Sequence, residues 1–197
     1  MLEFSLTKKT RIYLDFTFFA AIALFFYLDE SGFGIMSIAA CIIHETGHLT
    51  ALYKEKRDIN SLTFYGGGIK IGYEKNLDAS YFILVAGSLF NFILFAVLYF
   101  SFQENYELKI FAIINLIIGI FNLLPLKYFD GARITEKILL KILSLEKALY
   151  LLKKIEIIAI IIAMFFIVII MIFGQVNISV LIVMIYVIIT DIIIKTK

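Results

Sequence analysis

The chain has 197 residues, of which 62% are hydrophobic and only 17% charged, and its mean hydropathy is +0.98. That is far more apolar than an ordinary soluble domain, so the composition places the chain in a bilayer. The net charge of +2 gives no reason to expect nucleic acid as a partner, and a single cysteine, Cys41, excludes an intrachain disulfide.

Six apolar runs are long enough to cross about 30 Å of hydrocarbon. The first, Ile12 to Leu28, follows Lys8, Lys9 and Arg11 in the manner of a secretory signal, with Ala21-Ile22-Ala23 resembling a cleavage site. That triplet lies inside the run rather than after it, so a retained span is predicted. The second run, Phe33 to Tyr53, is followed by Lys54-Glu55-Lys56-Arg57. Two short β-prone stretches around Gly66-Gly67-Gly68 then predict a small β-hairpin or a glycine-rich loop over 61–73. As a hairpin it offers an edge strand on which an extended substrate can pair, and Gly67 is its candidate contact. Third and fourth runs cover Tyr81 to Phe102 and Ile110 to Leu126, and Pro125 should break the fourth helix at its end. Residues 134–154 mix Leu and Ile with lysines, as expected of a helix lying on the inner membrane surface. Runs at Ile157 to Phe173 and Ile178 to Ile194 complete the set.

The expected fold class is therefore an all-α polytopic membrane protein: six transmembrane helices, one domain over 1–197, and a small hairpin or glycine-rich loop after the second span. With a cytoplasmic N-terminus, the inner segments carry 3, 5, 7 and 2 Lys/Arg in chain order and the outer turns carry only Lys109. Both termini are expected in the cytoplasm. No internal repeat is visible, nor a matching pair of broken spans such as transporters carry.

Chemistry concentrates in the second span. Residues 44 to 48 read His-Glu-Thr-Gly-His, which puts the chain's two histidines four apart on one helical face. Imidazoles at that spacing grip one Zn²⁺, and Glu45, beside the first of them, is placed to take a proton from water at the metal. Glu45 is the only acidic residue deep within any of the six runs. An ionisable group near mid-bilayer costs about 3 kcal/mol on insertion scales and normally faces a cavity or a partner. The plain alternative is a polar cluster joining helices. A catalytic zinc normally takes three protein ligands. Asp130 is the first choice for the third, because it follows a span that descends to the same side as His48; equally, an aspartate there would serve as N-cap of the helix that follows. Cys41, three residues before His44, fits ordinary packing better than ligation.

Taken together, three motifs resemble the site-2 protease family, and within it the small bacterial members of the stage IV sporulation protein FB type. His44-Glu45-Thr46-Gly47-His48 fits that family's HExGH helix. Ala86-Gly87-Ser88-Leu89-Phe90-Asn91 resembles its AGPxxN motif, and Asn122-Leu123-Leu124-Pro125 through Asp130-Gly131 resembles its NxxP…DG motif. Ser88 and Tyr128 stand where the family commonly has proline, and Ala132 where a second glycine is common. None of these removes a ligand or the base.

The resemblance implies Asp130 as third zinc ligand, with Asn91 and Asn122 near the substrate peptide, although for Asn91 interhelical hydrogen bonding is the competing role. It also implies cleavage within or beside a transmembrane segment of a membrane protein or membrane-associated precursor, such as a tethered transcription-factor precursor. The setting it implies is a bacterial or forespore-surrounding membrane, and it is compatible with a membrane inhibitor or a homo-oligomer. No PDZ or nucleotide-sensing domain is expected. Two other classes compete: a metalloprotease with Glu74 of Glu74-Lys75-Asn76-Leu77-Asp78 as ligand, and a non-catalytic metal-binding membrane protein or transporter.

Overall fold

The computed structural model describes residues 1–5, 10–29, 32–65, 68–73, 79–127 and 129–173. They form two compact units, Met1–Phe121 and Asn122–Lys197.

The first unit joins a small sheet to helices. Strands β1 (Leu2–Ser5), β2 (Arg11–Leu14), β3 (Ile59–Tyr65) and β4 (Gly68–Tyr73) lie in that order, with β1–β2 and β3–β4 antiparallel and β2–β3 parallel. Of the two expectations for 61–73, a hairpin or a glycine-rich loop, the hairpin is present, as half of a four-stranded sheet. The N-terminal half was not foreseen, because Ile12 to Leu14 read as the start of an apolar span. They are strand instead, in register with Leu62 to Phe64.

A parallel pair needs a long crossover, and helices α1 (Phe16–Leu28) and α2 (Phe33–Lys54) provide it. Asp15 caps α1, its Oδ1 accepting from Thr17 N at 2.9 Å and Thr17 Oγ1 at 2.6 Å, while Asp15 N donates to Phe64 O at 2.9 Å. The helix is thereby tied to the sheet it leaves. At the far end of α2, Arg57 N bonds Leu52 O and Lys56 N bonds Tyr53 O, with Lys56 at φ 53. This is a Schellman ending, which satisfies the last carbonyls and turns the chain into β3.

Helix α3 (Tyr81–Ser101) opens at Ser80, whose Oγ accepts from Ile83 N at 3.1 Å and donates to the Glu55 carboxylate. Buried Ala51, Leu52, Ile83 and Ala86 join α2 to α3, and Ile59, Ile71 and Tyr73 of the sheet pack against them together with Ala79. The two helices approach closely because Gly47 faces Ala86 and Gly87: a Cβ on Gly47 would lie 2.5 Å from Ala86 O. Helix α4 (Tyr106–Asn122) buries Ala112, Asn115 and Gly119, one stripe at helical spacing, with Gly119 admitting the Phe92 ring.

In the second unit the chain turns through Pro125, as expected, and enters α5 (Asp130–Ile142). Gly131 lies against the Leu123 and Leu124 carbonyls, leaving no space for a Cβ. The surface helix expected over 134–154 is broken at Leu143 and Ser144, and its second part continues into the next apolar run as α6 (Leu145–Phe173). Two of the described helices are long and apolar enough to span a membrane, Phe33–Lys54 and Tyr81–Ser101. Helix α1, at 13 residues, is shorter than the span expected there. The run at 178–194 lies outside the described residues.

Candidate metal centre

Helix α2 puts His44 and His48 on the face turned toward α3, where they are 4% and 9% exposed. Both imidazoles are held from behind. His44 Nδ1 lies 2.9 Å from Asn91 Oδ1, and His48 Nδ1 lies 2.8 Å from Ile83 O. Both partners are oxygens. A carbonyl accepts only, so His48 carries its proton on Nδ1, and Asn91 Oδ1 imposes the same tautomer on His44. The Nε2 lone pairs of the two rings therefore face each other, 3.1 Å apart.

Two lone pairs at that separation repel unless a cation stands between them. Two nitrogens at 2.0–2.1 Å from a tetrahedral zinc are separated by about 3.3 Å, close to the spacing seen here. The acceptors behind the rings are of the kind that orients metal-ligating histidines. The donor set therefore fits zinc.

Gly87 makes room for this pair. A Cβ there would fall 2.5 Å from His48 Nε2 and 2.6 Å from His44 Cε1 and Nε2. The Ala-Gly pair of the second motif thus has two tasks: Ala86 receives Gly47, and Gly87 leaves the imidazoles their space. Next to it, Ser88 Oγ is buried with no hydrogen-bond partner among the described residues.

Glu45 is half-buried on α2, immediately beyond His44. Asn91, expected near a substrate peptide, is fully enclosed. Its Oδ1 faces His44, and its Nδ2 donates to Ala40 O at 3.0 Å and to Asn115 Oδ1 at 2.8 Å. Both amide hydrogens are thus committed, and the side chain fills the interhelical role that the sequence left open for it.

In the second unit Asp130 is the half-buried first residue of α5. The N-cap position falls to Phe129, at φ −102 and ψ 159. Asp130 therefore does not have the capping geometry that was its alternative role. The turn before it is pinned by Glu156 of α6, which is 8% exposed and accepts from Lys127 N at 3.0 Å. Asn122 ends α4, half-buried. Gly67, Glu74 and Asp78 lie outside the described residues, and Cys41 is on the exposed side of α2.

Sequence reasoning passed over Asn115 and Glu156. Each had a signal: an amide in the middle of an apolar run, and a carboxylate at the edge of one.

Residues 105–170 match the family described as Peptidase family M50, which is about a third of the chain. No curated protein matches the chain in sequence. Among solved structures, the chain resembles the Site-2 Protease from Methanocaldococcus jannaschii with TM-score 0.65 and 24% identity, over 94% of this chain and 91% of that one. At that identity the likeness is one of fold.

Proposed function

We propose that this protein is an intramembrane zinc metalloprotease that hydrolyses a peptide bond within or next to a transmembrane segment of its substrate, near the cytoplasmic face. The observation that carries this reading is the pair of Nε2 atoms 3.1 Å apart, each ring fixed from behind by an oxygen acceptor. It is supported by the M50 match over 105–170 and by the fold likeness to a site-2 protease.

In this reading His44, His48 and Asp130 hold the zinc. When bound, the metal supplies Lewis acidity and a water of lowered pKa. Glu45 accepts the proton of the attacking water and returns it to the leaving amide nitrogen. The glutamate is adjacent in sequence to one ligand, so α2 positions base and ligand together. Gly87 and Gly47 keep α3 close against the imidazoles. Glu156 holds the turn from which Asp130 emerges. A helical peptide hides its carbonyl, so the substrate must be extended where it is cut. Strand β4 is the last strand of the sheet, suited to pairing with such a segment.

Our reading of the membrane topology is six spans with both termini in the cytoplasm, on the strength of the Lys/Arg distribution. The substrate is a membrane protein or membrane-associated precursor. Zinc content of Asp130→Asn and Glu74→Gln tests the ligand set. Loss of zinc in Asp130→Asn alone is expected, whereas loss in Glu74→Gln alone would replace the proposed site with another.

A further inference from the structure

Behind His44 lies a chain of amides whose direction is set at both ends. Asn115 and Asn91 are both completely buried. Asn115 Nδ2 donates to Phe111 O at 2.8 Å, one turn back along α4. A backbone carbonyl accepts only, so the amide nitrogen must point to it and Oδ1 must point the other way, toward Asn91. There it receives Asn91 Nδ2 at 2.8 Å. The second hydrogen of that nitrogen goes to Ala40 O at 3.0 Å, on the helix that carries the histidines. With its nitrogen held by two acceptors, Asn91 can present only Oδ1 to His44 Nδ1, at 2.9 Å.

We propose that Asn115 is a positioning residue for the metal centre, acting through Asn91 to fix the tautomer and ring orientation of His44. Three helices meet in this relay. Phe111 O orients Asn115, Asn115 and Ala40 O orient Asn91, and Asn91 leaves the His44 Nε2 lone pair facing that of His48. Without the Asn115 acceptor, one Asn91 hydrogen has no partner in an enclosed site. A turned Asn91 amide would then present N–H to His44 and favour the tautomer that cannot bind metal through Nε2. His48 is outside the relay, since its Nδ1 is held by Ile83 O. The proposal rests on the two histidines being zinc ligands. Zinc binding by the unaltered protein tests that premise, and the difference made at Asn115 tests the relay.

The experiment uses the full chain in detergent, with zinc affinity measured by chelator competition and the Nδ1–H resonances of ¹⁵N-histidine observed in the zinc-loaded protein. The chain has two histidines, so two such signals are expected, assigned with single-histidine variants. Asn115→Leu and Asn115→Ala, which remove the acceptor with and without filling its volume, should weaken zinc binding about tenfold. They should also shift or broaden the His44 signal and leave that of His48 in place. Asn115→Asp offers the same oxygen to Asn91 and, as a neutral acid, a proton to Phe111 O, and should stay close to the unaltered protein in both readouts. Unchanged zinc affinity and an unmoved His44 signal in the Leu and Ala variants would overturn the proposal. So would an equal loss in all three variants with both histidine signals moved, because that would make Asn115 a packing residue.

Discussion

At the scale of single residues, the site depends on what is small as much as on what binds. Gly87→Ala places a methyl group 2.5 Å from His48 Nε2, against a helix already packed on Gly47. We expect chelator competition to show zinc affinity reduced at least about tenfold while circular dichroism shows the helices intact. Ser88→Ala works in the opposite direction. It removes a buried hydroxyl with no partner among the described residues, a group whose desolvation costs about 1–3 kcal/mol, so thermal denaturation should show an equal or higher midpoint. The proximity of His44 and His48 was legible because a helix brings residues four apart onto one face without help from the rest of the chain. The partners of Asn91 and Asn115 were not, because they lie 47 and 24 residues away along the chain. An asparagine in an apolar helix announces a hydrogen bond but not the address of the other half.

At the scale of elements, the turn after Pro125 is held by contacts within its own unit. A charge-assisted bond, from Lys127 N to the Glu156 carboxylate at 3.0 Å, ties it to α6. Such bonds contribute about 1.5–3 kcal/mol, so Glu156→Ala should speed amide exchange across 123–129 by about tenfold or more, while α5 stays protected. Uniform protection in that variant would show that Pro125 and the packing of Gly131 suffice. The helix break at Pro125 could be read directly, because proline removes a donor wherever it stands. The sheet could be read only in part. Glycines at 66–68 predicted a hairpin or a loop, but β2 reads as apolar span because Ile12-Tyr13-Leu14 lead almost directly into the apolar residues of α1. Its partner β3 lies beyond two helices, and nothing local to 11–14 encodes that pairing. Similarly, the break at Leu143 and Ser144 carries neither glycine nor proline, and α6 then joins charged and apolar sequence in one helix.

At the scale of the whole molecule, composition alone predicts a chain that lies in a bilayer, and two of the described helices have the length and apolarity to cross one. The functional proposal adds a direction, with the metal site toward the cytoplasmic side of α2. Its central claim is that Glu45 acts as a base at a zinc held by α2. The most direct measurement compares the unaltered protein with Glu45→Gln, each co-expressed with single-span membrane reporters, with zinc content determined on the purified proteins. We predict equal zinc in both and cleavage of a reporter within or beside its span by the unaltered protein, reduced by about 10²–10⁴-fold in the variant. The same fragments produced at the same rate by a zinc-loaded Glu45→Gln would contradict it.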